Sequence, residues 1–152
     1  MIYPVITLYQ PWATWIMRKW KTIETRTHAR FACLNQKTIL IHAGLTFDHT
    51  AMVNPYLTME QILQDPNEML NGYILGSVHV DACGWLCGDQ CENEAALIEC
   101  TDRYGLFLKQ ITPFEKKIPV KGEMGIWYFD TDAMRKIKKP KPEQKQFSLP
   151  IK

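Results

Sequence analysis

The chain has no run of apolar residues approaching the roughly 18 that a membrane-spanning helix needs, so no membrane association is expected. Its first twenty residues include Pro4, Pro11, Arg18 and Lys19 but no basic start followed by an apolar stretch. No secretory leader is expected, and a soluble, cytoplasmic protein is. An even set of cysteines is also lacking: the five, at positions 33, 83, 87, 91 and 100, stand in a chain of 152 residues that is long enough to bury a core without staples. Free thiols are expected rather than a disulfide framework. Lysine and arginine are absent from residues 38 to 102, which hold ten acids, while residues 1 to 37 carry a net +5 and residues 103 to 152 a net +7. If the two basic ends fold together, one face becomes positive and the other negative, which suits phosphate on one side only. Plain charge balance within the molecule is the competing explanation. No internal repeat is visible, and the length fits one domain.

What the chain does have is a hydrophobic content of 46%, with five Trp, six Tyr and six Phe, enough for a sizeable core. Val5 to Tyr9 reads as a strand, and Pro11 opens a helix running to about Lys19. In that helix Trp12, Trp15, Ile16 and Trp20 recur at three- and four-residue spacing and form an apolar stripe. Thr22 to Thr27 and Thr38 to His42 alternate as strands, the second ending at Ala43-Gly44. Thr58 caps a helix over about 59 to 64, followed by a turn at Asp65-Pro66-Asn67. Tyr73 to Val80 reads as a buried central strand with Gly76 as a bulge, and residues 84 to 100 as a loop followed by a helix. Tyr104 to Ile111 and Ile126 to Phe129 are further strands, joined by a loop containing Pro113, Pro119 and Gly122. From Lys136 onward the composition is basic, proline-bearing and poor in apolar residues, so residues 133 to 152 are expected to be a flexible tail behind a domain of residues 1 to 132. Strands that do not alternate strictly with helices indicate an α+β class, and a small β-barrel with two or three short flanking helices is expected because closure removes sheet edges.

The stretch that carries chemistry is Lys21-Thr22-Ile23-Glu24-Thr25-Arg26. Along a strand Thr22, Glu24, Arg26 and His28 share one face, and Glu24 and Arg26 stand about 6.6 Å apart, close enough to pair or to converge on one ligand. Lys21 at the strand entrance leans over the same face. A lysine, an arginine and a carboxylate together supply donors for a phosphate or carbonyl and an acceptor for an exocyclic amine, which is base-recognition chemistry. An ordinary surface ion pair between Glu24 and Arg26, worth about 0–1 kcal/mol, is the competing reading.

Five ordered blocks resemble the ASCH domain family: Ile6-Thr-Leu-Tyr-Gln-Pro-Trp-Ala13, Lys21-Thr-Ile-Glu-Thr-Arg26, Leu40-Ile-His-Ala-Gly44, Gly72-Tyr-Ile-Leu-Gly-Ser-Val78, and Ile118-Pro-Val-Lys-Gly122 with Gly125-Ile-Trp127. The resemblance covers residues 5 to about 130. It implies a PUA-like β-barrel whose cleft is lined by the Lys-x-x-Glu-x-Arg motif, here Lys21, Glu24 and Arg26, with RNA, single-stranded nucleic acid or a nucleoside as partner. Many members carry glycine two residues before the motif lysine, where this chain has Lys19. Some small bacterial relatives are amidohydrolases that cleave N4-acetylcytidine with a lysine and a threonine of this motif, and Glu24 stands in that threonine's place. A hydrolase acting on a modified nucleoside or on RNA would then use Lys21 and Glu24, with Glu24 as general base and Lys21 steadying an oxyanion.

Other residues have two readings each. His42 is a candidate for the pocket rim or a hydrogen-bonded structural histidine. Trp12 is a stacking platform or a core residue, and Lys121 a phosphate contact or a solvated side chain. Cys83, Cys87 and Cys91 with His79 have loose zinc spacing, but Gly84 and Gly88 interrupt the run, and no metal or cofactor is expected. A protein-interaction domain using the acidic stretch from 38 to 102 is a third functional class.

Overall fold

The computed structural model describes residues 1–63, 69–88 and 92–141. Its strands are β1 (Ile2–Gln10), β2 (Ile23–Arg26), β3 (Thr38–Phe47), β4 (Tyr73–Trp85), β5 (Tyr104–Pro119), β6 (Ile126–Asp130) and β7 (Arg135–Ile137). They form one sheet in the order β2-β5-β4-β3-β1-β6-β7. Among the described residues only the β1–β3 pair is parallel. Three short helices, α1 (Trp12–Met17), α2 (Met59–Ile62) and α3 (Asn93–Ala96), interrupt the strands. The class is α+β, consistent with a small barrel-like fold. The sheet is not closed, however: β2 and β7 remain edges, and both are very short, which limits the unpaired backbone they offer.

Each face of the sheet buries its own set of side chains, as the two-residue strand period requires. Ile6 and Leu8 of β1, Ile39 and Ile41 of β3, and Leu75 and Val78 of β4 pack with Ala13, Ile16 and Met17 of α1. Val5, Leu40, Ile74, Trp127 and Phe129 pack on the other face. One step along that second face the apolar pair Val5–Leu40 gives way to the polar pair Thr7–His42 in the same β1–β3 register. Gly76 interrupts the β4 register as expected, and a Cβ there would lie 2.6 Å from Met17 Sδ and 2.4 Å from the Thr112 carbonyl. The missing side chain is what lets α1 sit against the sheet.

The aromatic stripe divides between two clusters. Ile16 faces the sheet, whereas Trp15 packs with Ala51 and Leu97, flanked by Trp12 and Trp20. The helix ends at Met17, and Lys19 adopts a left-handed φ of +63°. The Trp20 amide bonds the Trp15 carbonyl at 3.0 Å and the Lys19 amide bonds the Ile16 carbonyl at 2.9 Å, the pairing of a Schellman stop.

Several expectations change. β3 does not stop at Ala43-Gly44 but continues to Phe47. β5 runs unbroken through Pro113 and Pro119, which the sequence placed in a loop. β2 pairs with β5 only over Tyr104 to Phe107, so beyond that point β5 is an edge strand that tolerates residues without N–H groups. Arg135–Ile137, assigned to the flexible tail, pair with β6 as β7, with the Lys136 ammonium over the Trp127 ring. The Thr58 cap is present as a full capping box with Gln61. The Asp65-Pro66-Asn67 turn and the end of the tail lie outside the described residues.

Relieving the left-handed backbone at position 19 has a measurable consequence. Lys19→Gly is expected to stabilise the fold by about 1 kcal/mol. For a chain of this size, that raises the thermal midpoint by about 2–4 °C. An unchanged or lower midpoint in a thermal melt contradicts the assignment of the helix stop.

Candidate functional site

The motif begins where α1 ends. After the Schellman turn, the Lys21 amide bonds the Trp15 carbonyl at 3.2 Å, and the Thr22 amide bonds the Ala95 carbonyl at 2.9 Å, so α1 and α3 fix the entry into β2. β2 then pairs with β5, Glu24 opposite Leu106 and Arg26 opposite Tyr104. Glu24 and Arg26 project to the same side, with Glu24 Oε1 3.7 Å from Arg26 Nε. Lys21 and Glu24 are both buried, at 3% and 7% exposure. The surface ion-pair reading therefore fails for Glu24.

Lys21 reaches inward. Its ammonium donates to the Ala96 carbonyl and stands 5.2 Å from the centre of the Trp12 ring. Burial holds its pKa below the usual lysine value; Glu24 opposes that shift, while the positive charges of Arg103 and Arg26 add to it. Glu24 Oε2 is buried and, among the described residues, has no hydrogen-bond partner, and neither does Arg26 Nε. The Arg26 guanidinium lies 4.8 Å from the centre of the Phe31 ring. Trp12 is held by its indole N–H, which donates to Asp48 Oδ2 at 3.0 Å.

These groups line one cleft of about 880 Å³, a volume suited to a small organic ligand. Trp12, Lys21, Glu24, Arg26, His42 and Lys121 all border it. Apolar side chains stand at its mouth: Tyr9, Leu45 and Met124 line it and are largely exposed. Lys121 is exposed at the rim, and Gly122 beside it lies against the cleft floor. A Cβ at Gly122 would stand 2.6 Å from His42 Cε1 and 2.7 Å from Thr7 Oγ1, so this wall needs glycine.

His42 borders the cleft but is committed to the fold. It is 1% exposed. Its Nε2 lies 2.7 Å from the Val120 carbonyl, so Nε2 carries the proton. Nδ1 then accepts from Thr7 Oγ1 at 3.2 Å, and Thr7 accepts from the Trp127 indole N–H at 3.0 Å. Both ring nitrogens are thus engaged by protein groups.

Two contributors to the cleft carried no motif in the sequence. Arg103 donates from Nε to Thr25 Oγ1 at 2.8 Å and from Nη2 to the Thr25 carbonyl at 3.4 Å, and it lines the cleft. Asp48 reaches the rim because its amide bonds the Gln10 carbonyl at the end of β1. Neither is signalled by spacing, since both depend on long-range strand pairing. The cysteines do not converge on the cleft. Cys83 lies in β4, Cys87 in the following loop, and Cys91 outside the described residues; among the described residues no cluster of three His, Cys, Asp or Glu side chains is placed to hold a metal. No described helix is long and apolar enough to cross a membrane.

No protein-family model matches the chain, and no curated protein does. Among solved structures, the chain is similar to ASCH from Zymomonas mobilis, at 16% identity and a TM-score of 0.40, covering 73% of this chain and 69% of that one. A mutant of the same protein aligns at 17% identity and a TM-score of 0.42, covering 77% and 75% of the two chains. A second mutant aligns at 16% and 0.40, covering 78% and 74%. All three are ASCH proteins.

The engagement of His42 predicts a pH dependence. Burial, aided by the charge of Lys136, holds the imidazole below its ordinary value of 6.5, although its bond to Val120 pulls the other way. The unfolded chain takes up this proton near the ordinary value while the folded chain resists it, so His42 contributes fully to stability above pH 6.5 and less as pH falls towards the lower folded value. The urea midpoint should therefore drop more between about pH 7.5 and 5.5 in the natural protein than in His42→Gln. Equal drops in both contradict the neutral, doubly bonded ring.

Proposed function

We propose that this chain is an ASCH-type domain that binds nucleic acid, RNA first, or a nucleoside, in the cleft lined by Lys21, Glu24 and Arg26. The observation that carries the proposal is the buried, partnerless Glu24 Oε2 in a residue that lines a cleft otherwise furnished with cations. A buried acceptor without a donor costs roughly 1–3 kcal/mol, so a ligand N–H that meets Oε2 when Glu24 turns into the cleft recovers that cost. An exocyclic amine or ring N–H of a base supplies that donor, while Arg26 faces carbonyl or phosphate oxygens. Trp12 and the exposed Tyr9 at the mouth offer ring surface for stacking.

A second reading, hydrolysis of an acylated nucleoside or of RNA, is favoured by the lowered pKa of Lys21 beside a carboxylate, the pattern of an acid–base pair. The Lys21 ammonium is already bound to Ala96, so this chemistry requires that bond to open.

Titration with single-stranded RNA and with nucleosides, N4-acetylcytidine included, at two salt concentrations is the test. Binding by the natural protein that weakens with salt for RNA, and that falls about tenfold in Glu24→Gln and in Arg26→Gln, is expected. No binding by the natural protein, or binding by both variants as tight as that of the natural protein, contradicts the proposal. Acetate release from N4-acetylcytidine, and cleavage of the RNA, no faster than with Lys21→Ala remove the hydrolase reading.

A further inference from the structure

We infer that the polar end of the cleft is a phosphate subsite in which Arg103 is the main donor, so that the occupant is a nucleoside phosphomonoester, either a free mononucleotide or the phosphorylated end of an RNA. The inference rests on the base-binding reading above and narrows its ligand class.

Arg103 is aimed and held. The pairing of Arg26 with Tyr104 puts Arg103 just before the paired part of β5, beside the end of β2. Its backbone is pinned on both sides, the carbonyl accepting from the Leu86 amide at 2.8 Å and the amide donating to the Cys100 carbonyl at 3.1 Å. Its side chain is oriented by Thr25 through Nε and Nη2. A guanidinium has five N–H groups, and two of Arg103's are used by Thr25, which leaves Nη1 and half of Nη2 to meet a ligand. Among the described residues no carboxylate lies within ion-pair distance of it.

The charge balance of the cleft supports the same conclusion. Three cationic side chains, Lys21, Arg26 and Arg103, line its polar end with a single carboxylate, Glu24, which the first two share. The other acids of the lining stand elsewhere. Glu123 is 3.2 Å from Lys136, and Asp48, which accepts from the neutral groups of Trp12 and Thr50, keeps its charge at the rim and is not among the groups that act on Lys21. Two uncompensated positive charges in a sheltered cleft match the nearly divalent charge of a phosphomonoester, and a planar guanidinium matches its oxygens two at a time. A neutral nucleoside leaves that charge unanswered.

Calorimetric titration of the full chain with the four ribonucleosides, their 5′- and 3′-monophosphates, and a short RNA with and without a 5′-phosphate tests the inference. At least one monophosphate should bind about tenfold or more tightly than its nucleoside. In Arg103→Gln the ratio of monophosphate to nucleoside affinity should fall to about one, and Arg103→Lys should restore part of it. Tighter binding of the mononucleotide identifies the free nucleotide as the source, and tighter binding of the phosphorylated RNA identifies the RNA end. Nucleosides binding as tightly as monophosphates, or an increment that survives Arg103→Gln, overturns the subsite and leaves the base-binding reading standing. Absence of binding by every nucleoside, nucleotide and RNA overturns both. Thermal melts establish that the variants fold, and if Arg103→Gln does not, the natural protein's own ratio and Arg103→Lys decide.

Discussion

Lys21 is only 3% exposed, and an ammonium taken out of water is costly unless charges and hydrogen bonds replace the water it has lost. Three elements supply the replacement: α3 gives the Ala96 carbonyl, α1 gives the face of Trp12, and β2 gives the Glu24 carboxylate. The buried charge is therefore where these elements must meet, and the neighbouring backbone bonds to Trp15 and Ala95 hold them there. An apolar side chain would fill the same space at lower cost, because buried ion pairs rarely stabilise more than well-packed hydrocarbon. The cluster therefore stands at the wall of the cleft at a cost in stability, as the proposed binding role would require.

The sheet makes the cleft possible by changing character along one face. Val5, Leu40, Ile74, Trp127 and Phe129 close that face with an apolar cluster, and one register step further Thr7 and His42 begin the polar floor. The Trp127–Thr7–His42–Val120 chain of hydrogen bonds lets polar groups sit at that border without loss, since each donor finds an acceptor. Gly122 packs flat against this chain and carries the wall that ends in Lys121 and Met124. The fold thus brings together a motif near residue 24, a floor near residue 42 and a wall near residue 122.

The local signals in the sequence proved sound where the physics is local. Two-residue alternation placed Glu24 and Arg26 on one side of β2, the Thr58 cap opened α2, and Gly76 marked the β4 bulge. Where the structure departed, non-local pairing decided. Pro113 reads as a strand breaker unless β5 is an edge at that point, and that depends on how short β2 is. Residues 135 to 137 look like tail by composition, but β6 offers them an edge and Trp127 a surface for Lys136. The expected barrel stays open among the described residues: β2 and β7, the terminal strands of the sheet, do not pair with each other. Arg103 carries no local signal because its place in the cleft depends on a bond to Thr25, 78 positions away, and no spacing rule spans that distance.

Ligand binding requires Glu24 and its neighbours to form a receptive cavity rather than a closed structural ion cluster. Side-chain NMR of the carbon-13-labelled protein, titrated with ribonucleoside monophosphates, reads this directly. Shifts that saturate together at the Glu24 carboxyl, the Lys21 ammonium and the Arg26 and Arg103 guanidinium groups are the predicted result. Saturable shifts confined to residues away from the cleft, with Glu24 and Lys21 unmoved, would contradict it.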